Sequence, residues 1–201
     1  MYNYCMKSQS IIYRANSLKN HLLIAMPTLN GSRFEQAVTY LCEHNEKGAM
    51  GIVINKPLLQ MSLGDILKQL SIEFADEQIG NFPVLSGGPV AQEQGFLIHQ
   101  SSKDIPGETV VDPEHDIVIS ASKDVLKSFV EGKGPPRILV SLGYAGWSIG
   151  QLENELKDNR WLLAPATPEI LFETPYANRW RAAAALVGVD FRRLSYDTGH
   201  G

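Results

Sequence analysis

The sequence predicts a single α+β domain with a mixed β-sheet, open or barrel-like, packed by several helices. Apolar residues at helical spacing alternate with strand-like apolar runs at both ends of the chain. The middle of the chain is instead rich in short strand-like pieces separated by Gly, Pro and Asp. This order matches neither a purely parallel doubly wound sheet nor a pure sandwich. The length of 201 residues also fits one domain.

Residues 1–16 show neither period, so we expect a poorly ordered N-terminal extension followed by one domain over residues 17–201. The apolar run at 21–26 predicts a strand that stops at Pro27, and Asn30-Gly31 predicts a turn. A helix is predicted next, because apolar side chains from Phe34 to Cys42 recur at helical spacing.

A strand is predicted over residues 50–55, followed by an amphipathic helix that opens at Ser62 with Asp65 three residues later. Short strands in hairpins or a meander follow. A helix, a strand, a second helix and a second strand come next, and the last element is an alanine-rich helix closed by Gly188. The short strands cover 83–85, 96–98, 109–111 and 117–119; the later helices cover 122–131, 149–157 and 178–187, and the later strands 138–142 and 161–163.

The composition is that of an ordinary globular protein, with a formal charge of -4 and 44% hydrophobic residues. Two cysteines are too few for a disulfide-dense secreted scaffold. The longest apolar stretches are too short for a membrane-spanning helix, and the N-terminus has no apolar region of the kind that a signal peptide needs. We therefore expect a cytoplasmic protein without a membrane partner.

The residues Gly146-Trp147-Ser148-Ile149-Gly150 have the G-x-S-x-G spacing of a nucleophile elbow. In a true elbow the strand runs directly into the turn, whereas here residues 143–145 intervene, and no motif places a general base downstream. Ser148 followed by Gln151 also matches a capping box. The capping interpretation is favoured over a catalytic serine.

Cys42 is the candidate reactive thiol, because His44 follows two residues later. On a helix these two side chains point away from each other, and Cys42 lies on the apolar stripe with Val38 and Leu41. A core cysteine is therefore favoured over a thiolate nucleophile or redox sensor.

The histidines form no recognisable metal-ligand pair, so no metal site is predicted. No cofactor is predicted either, because the sequence contains neither a dinucleotide-binding fingerprint nor a P-loop. The histidines are His21, His44, His99, His115 and His200.

Three glycine-rich segments near predicted strand ends could cradle a ligand: residues 54–57, 86–89 and 143–147. Glycine N–H groups can approach an anion closely, and aromatic side chains can stack on a planar group. Tight turns and bulges in a curved sheet are the alternative. The candidate ligand or partner surface comprises Asn55, Gly87, Gly88, Tyr144 and Trp147.

Basic and aromatic residues alternate near the C-terminus and could contact nucleic acid. Against this, the sequence pI is about 5.7, and Trp180 is better suited to anchor its helix to the core. A solvated basic end is favoured over direct nucleic-acid binding. The segment comprises Arg179, Trp180, Arg181, Arg192, Arg193 and Tyr196.

Five segments in this order and spacing resemble the YqgE/AlgH family of bacterial proteins: residues 20–27, 40–45, 48–57, 86–90 and 143–153. The resemblance runs from about Leu18 to the end of the chain. The terminal Gly199-His200-Gly201 is close to the family's usual Gly-His-Ala ending but departs from it at the last residue.

The resemblance implies a compact cytoplasmic α+β protein and a role in transcriptional regulation, and it supplies no catalytic mechanism. It does not require a serine at position 148. Our leading hypothesis is therefore a non-enzymatic binding or regulatory protein that recognises a small ligand or a protein partner through the candidate surface. The alternative is a thiol-dependent enzyme or redox-responsive protein that uses Cys42.

Overall fold

The computed structural model describes residues 17–101 and 107–191. The chain divides into two compact units, of which the first joins residues up to 50 with residues from 147 onward, and the second spans residues 51–146. The predicted N-terminal extension, residues 1–16, lies outside the described residues. A single domain over 17–201 stays a prediction.

The chain has an α+β fold, as predicted, and its described residues form ten strands. A 3₁₀ turn at Pro27–Leu29 and a π-helical turn at Glu169–Glu173 complete the regular structure. The strands are β1 His21–Ala25, β2 Val38–Asn45, β3 Gly48–Val53, β4 Pro57–Ser62, β5 Pro83–Ser86, β6 Val90–Gln100, β7 Thr109–Asp112, β8 Ile117–Ser120, β9 Ile138–Trp147 and β10 Trp161–Pro165. The helices are α1 Leu63–Gln69, α2 Glu77–Gly80, α3 Lys123–Val130, α4 Gln151–Lys157 and α5 Tyr176–Ala185.

In the first unit the strands follow the order β10-β1-β2, and residues 48–50 at the start of β3 complete it. β1 is antiparallel to both of its neighbours, so Ile24 lies opposite Leu162 on one side and Val38 on the other. Residues 22–25 of β1 are all buried, so both faces of the strand are covered, and it reads as a continuous apolar run rather than an alternating one. This is why the sequence predicts β1 correctly. Helix α5 is attached to β1 by Trp180, whose indole N–H donates to the Ala25 carbonyl at 2.9 Å.

In the second unit β6 lies between β9 and β8, and β7 forms one edge. β5 pairs with β9 in parallel and with β4 antiparallel, so the pairing is mixed, as predicted. Helices α1 and α3 contribute Leu63, Leu67, Val125 and Leu126 to the core over β6 and β9. Among the described residues the strand order of each unit has two ends, so the barrel-like form of the predicted sheet is wrong.

The predicted helix from Phe34 to Cys42 is also wrong, because this segment contains strand β2. Its first five residues, Val38 to Cys42, are all buried, so both faces of the strand are covered. A strand that is buried on both faces places apolar residues at almost every position, and some of them then fall at helical spacing by coincidence. The β-branched and aromatic side chains of residues 38–40 favour a strand here.

Local capping signals locate several helix ends correctly. The Ser62 backbone N–H and hydroxyl donate to the Asp65 carboxylate at 2.9 Å and 3.1 Å where α1 begins. These two hydrogen bonds lower the pKa of Asp65. Ser122 caps α3 by accepting from the Asp124 N–H at 3.1 Å. Gly188 has a left-handed φ of 75° just after α5. Strand β4 and helix α2 were not predicted, because neither has a clear apolar period.

Candidate functional site

The glycine-rich segments 54–57, 86–89 and 143–146 meet within the second unit, where their backbones are hydrogen-bonded. The Ser86 N–H donates to the Lys56 carbonyl at 2.8 Å, and the Gly87 N–H donates to the Leu142 carbonyl at 2.8 Å. Gly87 and Gly88 are buried. Their N–H groups are therefore enclosed by protein backbone rather than presented to an anion.

Gly88 lies against strand β9 so closely that only a glycine fits. A Cβ placed on Gly88 would lie 2.1 Å from the Tyr144 carbonyl carbon and 2.4 Å from the Ala145 nitrogen. A Cβ on Gly87 would lie 2.3 Å from the Gly143 carbonyl oxygen. We call this close approach of residues 87–88 to β9 the backbone crossing. It explains why glycine is needed at both positions without a ligand.

The remaining members of the candidate surface differ in how exposed they are. Asn55 and Tyr144 are half-buried, and the Tyr144 ring packs edge-on against Phe96 with centroids 5.7 Å apart. Trp147 belongs to the first unit, where it is 6% exposed. Asn55 and Tyr144 keep part of their side chains accessible, whereas Trp147 does not.

Trp147 takes part in a partly buried hydrogen-bond cluster around Glu155 of helix α4. Oε2 of Glu155 accepts from the Trp147 indole at 3.0 Å and from the Trp161 indole at 2.8 Å, while Oε1 accepts from the Gln151 amide at 3.0 Å. Burial by itself raises the pKa of this carboxyl. The hydrogen bonds from Trp161, Gln151 and Trp147 outweigh burial and hold the pKa below its ordinary value.

The candidate thiol Cys42 lies in the middle of β2 and is 2% exposed. Its S–H donates to the Tyr40 carbonyl at 3.5 Å. His44, which lies on the same face of the strand, is bonded elsewhere: Nδ1 accepts from the Leu18 N–H at 3.0 Å, so Nε2–H donates to Glu153 at 2.8 Å. These contacts join Leu18 to β2 and α4.

Slow alkylation of Cys42 is expected, because an electrophile can reach a thiol in the core only after local opening of the structure. In a Cys5→Ser variant, which leaves Cys42 as the single thiol, iodoacetamide should react at least about tenfold more slowly than with a free model thiol. The rate in urea, where the chain is unfolded, is the control and should match the model thiol. Fast alkylation of the folded protein would instead support the thiol-dependent alternative.

Ser148 is exposed in the turn before α4, and both its N–H and its hydroxyl donate to the Gln151 side-chain oxygen at 3.1 Å. The helix begins at Gln151, after Gly150 in a left-handed conformation, and not at Ile149 as predicted. The pairing of Ser148 with Gln151 therefore organises the turn before the N-terminus. Among the described residues no imidazole is hydrogen-bonded to Ser148, so the elbow spacing is not accompanied there by a general base.

A serine–histidine pair that sequence analysis missed lies in the second unit. Nδ1 of His99 is 2.7 Å from the Gln100 carbonyl and must donate to it, so Nε2 accepts from the Ser120 hydroxyl at 3.2 Å. His99 is fully buried, and burial lowers its pKa. Ser120 is 5% exposed, too little for attack on a substrate carbonyl, so the pair joins β6 to β8. The two residues are 21 positions apart, and only strand register brings them together.

Other sequence candidates have structural roles or lie outside the described residues. Arg179 is 2% exposed, its Nε–H donates to the Thr174 carbonyl at 2.9 Å, and burial lowers its pKa to about 10. Arg181 is exposed, whereas residues 192–201 are not described. Within the described ranges no three His, Cys, Asp or Glu side chains could hold a metal ion, and no helix is long and apolar enough to span a membrane.

A cleft of about 720 Å³ opens in the second unit, between α1, α3, β4 and the central strands β6 and β9. This volume is in the range of small-molecule sites. Leu97 lies opposite Val140, and Gly95 opposite Leu142, so paired positions of β6 and β9 form part of its floor. The apolar lining residues are Met61, Ile66, Leu70, Leu97, Ala121, Leu126, Val140 and Leu142, with Gly95 beside them.

The rim of the cleft is polar, and half of its residues come from a bulge in β6. Between the pairs Val90–Tyr144 and Gly95–Leu142, β6 has four intervening residues and β9 has one. A bulge of this kind redirects side chains. The polar lining residues are Gln69, Gln92, Glu93, Gln94, Ser122 and Lys123. Sequence analysis missed this site because its lining residues are far apart in the chain, although the polar run Gln92–Gln94 inside a strand was a signal.

Tyr144, one member of the candidate surface, packs on the face of β6 that is opposite the cleft. Leu97 lines the cleft, and its neighbour Phe96, which contacts Tyr144, points to the other face. The left-handed Gly143, with φ of 73°, lies between Leu142 and Tyr144 on β9. Leu142 can therefore line the cleft while Tyr144 packs on the other face.

Comparison with known proteins identifies close relatives over nearly the whole chain. The model of the AlgH-like family DUF179 matches residues 22–192. A UPF0301 protein of Coxiella burnetii (strain RSA 493) is 48% identical over 190 residues, covering 94% of this chain and 93% of the relative. A UPF0301 protein of Proteus mirabilis is 46% identical over 187 residues, covering 92% of this chain and 99% of the relative.

Two solved structures are similar to this fold. The solution structure of the AlgH protein from Pseudomonas aeruginosa is 44% identical, covers 92% of this chain and 96% of that protein, and has a TM-score of 0.74. The crystal structure of the Corynebacterium diphtheriae protein DIP2367 is 19% identical with a TM-score of 0.63, covering 82% of this chain and 84% of that protein, and shows similarity of fold alone.

Proposed function

The chain belongs to the AlgH-like family, and from this premise we propose that it is a binding or regulatory protein that recognises a small ligand or a protein partner at the cleft of the second unit. The observation that carries the proposal is the cleft itself, with its apolar floor and polar rim. Ligand sites typically combine a mostly apolar concave surface with a few polar groups that orient the ligand.

The residues around the cleft support binding rather than bond cleavage. Lys123 and Glu93 are its charged residues, and Ser122 already accepts a hydrogen bond from Asp124 at the start of α3. The lining contains neither histidine nor cysteine. Among the described residues no lysine, carboxylate or imidazole is hydrogen-bonded to the Ser122 hydroxyl, so the lining contains no assembled nucleophile and base pair.

Regulation of transcription, which the family resemblance implies, would then depend on a ligand or a protein partner. Arg179, one of the basic residues considered for nucleic-acid contact, is buried and donates to a backbone carbonyl. Its guanidinium is not available for a phosphate. This placement favours an indirect regulatory role over direct nucleic-acid binding.

The proposal is tested by filling the cleft from its floor. Gly95 has space for a side chain, since a Cβ there would meet no atom within 4 Å, and its pairing with Leu142 points that side chain into the cleft. We expect molecules from a fragment library to shift the methyl NMR signal of Met61, which lines the cleft, and not that of Met26 in the first unit. Gly95→Leu should abolish the shifts of Met61.

Gln60→Leu is the matched control, because Gln60 is exposed in β4 and does not line the cleft. It adds a similar apolar side chain to the same unit and should leave the shifts unchanged. The proposal fails if no compound or partner shifts the Met61 signal, or if the same shifts persist in Gly95→Leu.

A further inference from the structure

The polar groups on the rim of the cleft indicate the kind of ligand that it takes, an inference that rests on the proposed function. Three of them are the carboxamides of Gln69, Gln92 and Gln94. All three residues are exposed, and their side chains make no hydrogen bond to another described residue. Each carboxamide offers a carbonyl acceptor and an NH₂ donor group. A ligand at this rim therefore meets donors and acceptors on uncharged groups.

The charged residues of the lining do not favour an ion of either sign. Lys123 and Glu93 carry opposite charges, so together they contribute no net charge. A carboxylate ligand would be attracted by the lysine and repelled by the glutamate, and an ammonium ligand would meet the reverse. A neutral polar group avoids both repulsions and also loses less hydration energy than an ion when it enters the cleft.

The shape of the β6 bulge explains how the glutamines reach the cleft. Gln92 and Gln94 are two residues apart in the bulged part of β6, on either side of Glu93. Ala91 has a left-handed φ of 46°, which is unfavourable for alanine and begins the departure from regular pairing. The Gln92 Cα lies close to Gly143, since a Cβ on Gly143 would be 3.2 Å from it. The bulge is thus folded over β9, beside the floor at Leu142.

We infer that the cleft binds an uncharged amphipathic carboxamide, with its apolar body on the floor and its amide group at the glutamines of the β6 bulge. The floor provides for the apolar body through aliphatic side chains and Met61, whose flexible thioether adapts to different shapes. The amide group of the ligand can donate to one glutamine carbonyl and accept from another glutamine NH₂. The arrangement suits a small primary or secondary amide.

Three probes with the same apolar body and different head groups test the inference: hexanamide, hexanoate and hexylamine. Each is titrated into the whole protein at neutral pH while the Met61 methyl signal is followed. Hexanamide should bind at a concentration about tenfold lower than the two charged probes, as expected for one or two additional hydrogen bonds. Gln92→Ala combined with Gln94→Ala should reduce this preference and retain weak binding of all three probes.

Gln60→Ala is the matched control variant and should preserve the preference for hexanamide. Binding of hexanoate or hexylamine at a concentration equal to or lower than hexanamide would overturn the inference and leave the proposed function standing. The inference also fails if library compounds of another class shift Met61 while hexanamide does not, or if the double variant keeps the full preference. Failure of every compound and partner to shift Met61 would overturn the proposed function as well.

Discussion

Gly88→Ala is expected to reduce the free energy of unfolding by more than about 4 kcal/mol, or to prevent folding altogether. The new methyl group would lie 2.1 Å from the Tyr144 carbonyl carbon and 2.3 Å from its oxygen, so it cannot fit unless the backbone of β9 moves. The φ of Gly88, 154°, is also one that residues with a side chain rarely adopt. Urea unfolding measured by circular dichroism, together with the soluble yield, checks this result.

Gly95→Ala is the matched control for Gly88→Ala. Gly95 lies in β6, seven residues after Gly88, but a Cβ on it would meet no atom within 4 Å. Its free energy of unfolding should stay within about 0.5 kcal/mol of the parent protein. The backbone crossing would be wrongly described if both variants had similar stability. It would also be wrongly described if Gly88→Ala bound the hexanamide probe and unfolded like the parent.

Glu155→Leu should lower the free energy of unfolding by about 2–4 kcal/mol, because it leaves two buried indole N–H groups without their acceptor. Trp147 and Trp161, which donate these N–H groups, are 6% and 3% exposed. Glu155→Gln is the conservative control, since its amide oxygen can still accept from both indoles, and it should lose less than half as much. Equal losses in the two variants would show that the hydrogen bonds to the indoles contribute little.

The effect of Glu155 should also depend on pH, in a direction set by its lowered pKa. A carboxyl whose pKa is lower in the folded state than in the unfolded state, where it is about 4.5, contributes its full stabilisation above the unfolded value. This contribution is lost as the pH falls through the folded value. The stability difference between the parent protein and Glu155→Leu, measured by urea unfolding, should therefore be constant from pH 7 to about pH 5 and become smaller at lower pH.

Local signals in the sequence determined several elements correctly. Ser62 with Asp65 and the left-handed Gly188 mark helix ends because capping depends on residues within one turn of each other. β1 and the short strands of the middle were predicted from apolar runs between turn residues. The helix proposed around Cys42 failed because a strand buried on both faces carries no alternating pattern that separates it from a helix.

The candidate surface illustrates a second limit of sequence analysis. In the sequence, Gly87 and Gly88 fit a ligand cradle as well as they fit a backbone crossing, because each of these two roles requires a residue without a side chain. Only the contact with β9 distinguishes the two. Trp147 is a similar case, since an indole can stack on a ligand or donate to a carboxylate of the same protein, and the position of Glu155 decides between them here.

By itself, the sequence determined the α+β class, most strands, the helix ends marked by local caps and the family resemblance, because these depend on short segments and their order. Tertiary structure alone decided that the sheet does not close, that Cys42 is buried, that Ser120 meets His99, and that residues from β4, α1, β6, α3 and β9 enclose one cleft. These features depend on strand register and on contacts between residues far apart in the chain. A local pattern carries no information about which distant backbone or side chain will lie beside it.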